Sequence, residues 1–181
     1  MNVRVYASKE AIGAAGATLF AATVIAKPDC VLGLATGSTP IPTYQKMAEL
    51  YREGAVDYSH VTTFNLDEYV GLGHDHDQSY YYFMHDNLFQ HINIPEESIH
   101  VLSGTASDPE KECADYEKMI DEAGGIDLQI LGIGRNGHIA FNEPTTVFPP
   151  KTHVVNLTES TIDANKRFFA DVKDVPRQAL T

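Results

Sequence analysis

From Cys30 to Ala35 the chain reads Cys-Val-Leu-Gly-Leu-Ala, six apolar residues without a polar alternate. A strand with one wet face carries a polar side chain at every second position. A strand apolar throughout must be covered on both faces, which is the situation of a parallel sheet between two layers of helices. Asp127–Ile133 (DLQILGI) reads as another buried strand, and Val61–Leu66 (VTTFNL) as a further candidate. Val3–Tyr6 is a short β-like run and Val154–Leu157 a weak strand.

Helical patterns lie between these runs. Ser8 can cap a helix with Glu10 in its first turn, and Ile12, Ala15, Gly16, Leu19, Phe20 and Val24 recur at helical spacing through about Ala26. Pro40 suits the first position of a helix running to about Arg52. Ser79–Phe89 is a compact aromatic-rich helix, Asp108 with Pro109 opens another to about Ala123, and Thr158 caps one containing Ile162 and Phe168–Phe169. Strands alternating with helices give the α/β class and a parallel sheet, with ligands outside the C-terminal ends of its strands. The loops after the strands are therefore where chemistry is to be sought.

The chain's 181 residues, without repeats or a linker-like tract, suit one domain. Thirteen Lys and Arg against 25 Asp and Glu give a net charge of −12, a surface that repels polyanions and argues against nucleic-acid binding. An anionic small substrate then needs concentrated local donors. Cys30 and Cys113 lie far apart in no metal-like spacing and read as reduced thiols of a cytoplasmic protein. The start, MNVRVYASKE, lacks the apolar core of a signal peptide, and no uninterrupted apolar run approaches a membrane span.

Three loops carry candidate chemistry. Thr36-Gly37-Ser38-Thr39 follows the first buried strand and precedes a helix start, so hydroxyls and free N–H groups converge as a phosphate requires. An ordinary capped turn uses the same residues, and the position after a buried strand favours phosphate. Asp67 and Glu68 close the strand Val61–Leu66; one of them can act as a general base, while a helix cap or solvated acid is the plainer alternative. His74 and His76 with their flanking acids resemble a zinc spacing, but Gly71 and Gly73 mark an exposed loop, and no metal is expected.

The third loop is Gly132-Ile-Gly-Arg-Asn-Gly-His-Ile-Ala-Phe-Asn-Glu-Pro144. Its first six residues match G-x-G-x-x-G, but β-prone and polar residues follow where a dinucleotide site needs a helix, and no ribose-binding acid lies about 20 residues on. What remains is His138 with Asn136 and Glu143. A carboxylate near an imidazole orients the ring and suits it to proton shuttling.

Taken together, Leu34–Pro40, Thr63–Leu72, Gly132–Pro144, Leu157–Ile162 and Asn165–Phe169 resemble the glucosamine-6-phosphate deaminase family over nearly the whole chain, in order and spacing. The resemblance implies a Rossmann-like three-layer α/β/α sandwich with a mostly parallel sheet. It implies conversion of glucosamine 6-phosphate and water to fructose 6-phosphate and ammonia, without metal or organic cofactor. Asp67 would then be the base that moves a proton from C2 to C1, and His138, helped by Asn136 and Glu143, would open the pyranose ring. Thr36, Gly37, Ser38, Thr39 and Arg167 would hold the phosphate.

Departures from the family pattern set further expectations. Asn136 stands where some members carry Asp; an amide orients His138 without supplying a countercharge. Thr145–Asn156 offers only Lys151 and His153 as basic residues, so no activation by N-acetylglucosamine 6-phosphate is expected. The family pattern continues beyond Val175-Pro176 into a further strand and helix with a phosphate-binding Lys, so the domain is expected to lack its last strand–helix unit. The alternatives are a 6-phosphogluconolactonase-like hydrolase, which does not require the Asp67-Glu-Tyr segment, and a non-catalytic sugar-phosphate-binding fragment.

Overall fold

The computed structural model describes residues 1–181 except Arg135, Thr146, Phe148 and Ala170, and describes Ala164, Phe168 and Val172 by backbone alone. Arg135 of the glycine loop and the side chain of Phe168 thus lie outside the described residues. In chain order the elements are α1 (Lys9–Ala26), β1 (Val31–Leu34), α2 (Ile41–Arg52), β2 (Thr62–Asn65), β3 (Glu68–Tyr69), α3 (Tyr80–Asn87), β4 (Ile99–His100), α4 (Pro109–Glu122), β5 (Leu128–Gln129), β6 (Val154–Asn156), α5 (Glu159–Asn165) and β7 (Gln178–Leu180).

The strands β4-β2-β1-β5 form a parallel sheet, and β3-β7-β6 a small antiparallel one. The apolar run around β1 has its explanation in the two faces of the first sheet. Cys30, Leu32 and Leu34 pack with Phe20 and Val24 of α1, Tyr44 and Met47 of α2 and Met84 of α3. Val31 joins Phe64 of β2, Leu102, and Cys113 and Tyr116 of α4 on the other side. Each fully buried Leu contributes about 1.5–3 kcal/mol, so the sheet is held from both layers. This is the three-layer α/β architecture that the alternation calls for.

The helix starts follow their caps. Ser8 accepts from the Ala11 N–H at 3.1 Å, Ser79 from Tyr82 at 3.0 Å, Asp108 from Lys111 at 3.1 Å and Thr158 from Thr161 at 3.3 Å. Pro40 is itself the cap residue of α2, one position earlier than expected.

Several expectations are corrected. Val3–Tyr6 forms no strand and is exposed, because no neighbouring strand offers it a ladder. The buried face of α1 is Gly13, Ala17, Phe20, Ala21 and Val24; Ile12 and Leu19 face outward, since the contact with α2 selects a stripe rotated from the most apolar one. By length and composition α1 could cross a membrane, yet its Phe20 and Val24 belong to the core. The expected strand Asp127–Ile133 shrinks to β5, which pairs only with β1 and leaves Leu131 and Ile133 exposed. The helix opened by Thr158 ends at Asn165, so Phe169 lies beyond it, after a 3-10 turn. None of β3, β4 and β7 is legible as a strand; each is two or three residues long and is defined by the partner it meets.

Candidate active site

The strand order decides which loops meet. With β1 between β2 and β5, the Thr36–Thr39 loop after β1 is flanked by Asp67 after β2 and by the glycine loop after β5, all at the C-terminal edge of the sheet. The small antiparallel sheet ties two of them together. Glu68 of β3 pairs with Leu180, and the next residue, Thr181, accepts at Oγ1 from the Phe141 N–H (3.2 Å) and the Asn142 amide (3.3 Å) of the glycine loop.

The first loop springs from a fixed base. The buried Tyr44 hydroxyl donates to the Ala35 carbonyl at 2.5 Å and accepts from the Ala35 N–H at 3.1 Å, pinning the end of β1. Gly37 then turns at φ +95°, a left-handed conformation that a side chain would strain. Ser38 and Thr39 are exposed just before α2, whose cap residue has no side-chain hydrogen bond. Neither Ser38 nor Thr39 serves as the cap of α2.

Structure separates the roles of the adjacent acids. Glu68 is fully buried and accepts from the N–H groups of Tyr69 (2.8 Å), Tyr80 (2.9 and 3.0 Å) and Tyr81 (3.1 Å), so it closes the first turn of α3 beside the Ser79 cap. Asp67 is buried as well, but among the described residues no donor reaches its carboxylate. Burial, reinforced by the negative charge of Glu68, pushes the Asp67 carboxyl up to about 8. Burial also raises Glu68, to about 7, against three backbone donors that favour its ionised form. Desolvation wins at both positions, and further at the one without donors. Asp67 has the character of a general base: hydrogen-bonding capacity unspent and proton affinity raised towards neutral pH.

Aromatic rings knit the loops. Tyr80 lies parallel to Phe141, centroids 5.9 Å apart, and 4.9 Å from Tyr69, with its hydroxyl near Thr36. Phe169 meets Tyr69 at 6.4 Å. Arg167 sits two residues before it, exposed on the 3-10 turn that follows α5.

In the glycine loop His138, Asn136 and Glu143 form a chain. The Asn136 amide nitrogen donates to Glu143 Oε2 at 2.7 Å, and its oxygen lies 2.6 Å from His138 Nδ1. The carboxylate takes the amide hydrogens, so the oxygen faces the imidazole, and the network assigns the proton to Nδ1. Nε2 is then the free basic nitrogen. Glu143 does not touch His138 directly, as the sequence pattern had suggested; it acts through Asn136. It is anchored in turn by Thr161 (3.1 Å) and Thr158 (3.4 Å) at the start of α5. The imidazole lies against the backbone of Gly134, where a Cβ would sit 2.0 Å from Cε1. Gly134 of this motif thus seats a histidine, and the loop runs into a tight turn at Ala140 (φ +54°) with no helix start for a pyrophosphate.

The two histidines of the zinc-like spacing have local partners. His74 stacks on Tyr81 at 3.8 Å, and His76 Nδ1 accepts from the Gln78 N–H at 3.0 Å. Among the described residues no three His, Cys, Asp or Glu side chains converge as a metal site. Sequence reasoning passed over Tyr69, Tyr80, Phe141, Thr161 and Thr181. The aromatic run Tyr80-Tyr81-Tyr82 and the Thr-Glu-Ser-Thr stretch were visible, but nothing local marks Thr181.

The family model for glucosamine-6-phosphate isomerases and 6-phosphogluconolactonase matches residues 7–173. A glucosamine-6-phosphate deaminase of Thermoanaerobacter sp. (strain X514) is 54% identical over the whole chain, which covers 72% of that protein. One from Lachnoclostridium phytofermentans is 58% identical over 91% of the chain and 70% of its own length. A solved structure of a monomeric glucosamine-6-phosphate deaminase superposes with a TM-score of 0.96 at 45% identity, covering 100% of this chain and 75% of that one. The 6-phosphogluconolactonase of Thermotoga maritima shares the fold, with a TM-score of 0.71 at 24% identity over 98% of this chain and 75% of its own.

Proposed function

The chain belongs to the glucosamine-6-phosphate isomerase/6-phosphogluconolactonase family, and from that membership we propose that it is a glucosamine-6-phosphate deaminase. It releases ammonia from glucosamine 6-phosphate and water, leaving fructose 6-phosphate, in amino-sugar catabolism. A cytoplasmic location, a single domain and a phosphosugar as the only small-molecule partner belong to the same reading.

In this reading the Thr36–Thr39 loop, with its hydroxyls and turn N–H groups, receives the phosphate, and Arg167 adds a guanidinium. His138 Nε2 takes the proton of the anomeric hydroxyl and passes it to the ring oxygen, so that the bond from C1 to the ring oxygen breaks and the pyranose opens. Asn136 and Glu143 hold the imidazole in the tautomer this requires. Asp67 then removes the C2 proton of the open-chain aldehyde and delivers it to C1. Loss of the C2 proton gives an enolamine and its return to C1 a ketimine, as one proton passes from nitrogen to O1; water then hydrolyses the carbon–nitrogen bond to a ketone and ammonia.

The observation that carries this reading is Asp67, a buried carboxylate that no donor among the described residues reaches, at the strand end beside the phosphate-type loop. A lactone hydrolysis needs no carboxylate to move a proton between carbons. The test is ammonia release from glucosamine 6-phosphate, measured with Asp67→Asn alongside. Release by the wild type and its loss in the variant support the deaminase. Hydrolysis of 6-phosphogluconolactone without ammonia release would replace it with the hydrolase, and phosphosugar binding without turnover with a binding role. Lys151 and His153 are the only basic residues in Thr145–Asn156, and both His153 backbone groups are committed to Thr181. In this reading no activation by N-acetylglucosamine 6-phosphate is expected, and sigmoidal kinetics relieved by it would refute that.

A further inference from the structure

Glu68 takes no part in the chemistry above, yet it is a fully buried acid immediately after the base. Burying a carboxylate costs several kcal/mol unless its oxygens are satisfied, and a neutral residue would cap a helix at lower cost. Its oxygens are satisfied by the N–H groups of Tyr80 and Tyr81, the first two residues of α3, and by its neighbour Tyr69. Ser79 takes the next N–H, from Tyr82. The opening turn of α3 is thereby closed without water. From that turn Tyr80 extends to both other loops, its hydroxyl at Thr36 and its ring over Phe141.

We propose that Glu68 is a positioning residue for the reaction: its carboxylate locks the start of α3, so that Tyr80 holds the phosphate loop and the glycine loop in register with Asp67. The inference rests on the functional reading above and deepens it. It also accounts for why the cap is charged. Among the described residues the other titratable groups near Asp67 are phenols, Tyr44 from α2, Tyr69 from β3, Tyr80 from α3 and Tyr116 from α4. Among the described residues Glu68 is the one carboxylate acting on the base. One side chain thus sets both the geometry around Asp67 and its proton affinity.

The tests read the folded protein and need no turnover. In the wild type, the amides of Tyr80 and Tyr81 are expected to exchange as slowly as core amides, although first-turn amides of a helix ordinarily exchange fast; fast exchange overturns the proposal. In Glu68→Gln, which keeps size but removes charge, the Asp67 carboxyl followed by carbon-13 NMR is expected to titrate about one pH unit lower, a roughly tenfold loss of proton affinity. An unmoved midpoint in a folded variant reduces Glu68 to a simple cap and overturns it. Should that variant not fold, Glu68→Asp decides: charge is kept and reach shortened. The midpoint is then expected to stay while Tyr81 protection and the Tyr80–Phe141 proximity are lost, and retention of both overturns the proposal. Absence of ammonia release by the wild type sinks the functional reading instead and leaves these measurements intact.

Discussion

The amide oxygen of Asn136 lies 2.6 Å from Nδ1 of His138. The amide is turned this way by Glu143, which takes its hydrogens at 2.7 Å. Asn136→Leu keeps the branched heavy-atom outline and removes the tether, so the imidazole loses both its orientation and its fixed tautomer. The expected result is a fall in kcat of about 10²-fold, the usual worth of a positioned proton-transfer group, with KM little changed. Steady-state kinetics check it, and an equal loss in KM alone would show that Asn136 serves binding.

Asp67 must be ionised to take the C2 proton, and burial with the Glu68 charge places its titration at about 8. The rate at low substrate is therefore expected to rise with pH and level off above that value. Asp67→Asn should lower kcat by about 10²- to 10⁴-fold and leave phosphosugar affinity nearly intact. A profile already flat below pH 6 contradicts the assignment.

The same shift has a consequence for stability. An unfolded Asp ionises near ~3.9, so the folded form holds the Asp67 proton more tightly than the unfolded chain does. That contribution is fully present below pH ~4 and is lost as pH rises through about 8. Asp67→Asn does not titrate, so it is expected to melt higher than the wild type at pH 8, by about 5 °C, with the gap closing towards pH 4. Calorimetry at the two pH values tests this, and a gap that is the same at both rules it out.

Gly134 matters through the ring beside it. A methyl group there meets His138 Cε1 at 2.0 Å, so Gly134→Ala must push the imidazole out of line with Asn136. Activity is expected to fall about 10-fold or more while Tm shifts little, because the displaced ring is only half-buried. Circular dichroism melts beside kinetics separate this from a folding defect.

Much of the frame was legible in local pattern. The unbroken apolar run Cys30–Ala35 required cover on both faces, and β1 is buried at every position. Ser8, Ser79, Asp108 and Thr158 each announced a helix and each caps one. The pattern failed where burial depends on a distant partner. Leu131 and Ile133 are as apolar as a core strand but lie past the sheet's edge, and Val3 and Val5 have no strand to pair with.

Residue types also named the candidates at the site, because each chemistry admits few side chains: an acid for a base, an imidazole for a relay, hydroxyls and N–H groups for a phosphate. What the sequence by itself determined was this alternating α/β scaffold and the three loops on which such groups stand. Only the tertiary structure decided that β1 lies between β2 and β5, which brings those loops together. Only it divided Asp67 from Glu68, two neighbouring acids that read alike. Proton affinity depends on burial and on donors arriving from α3, and those are set by parts of the chain that sequence distance does not connect.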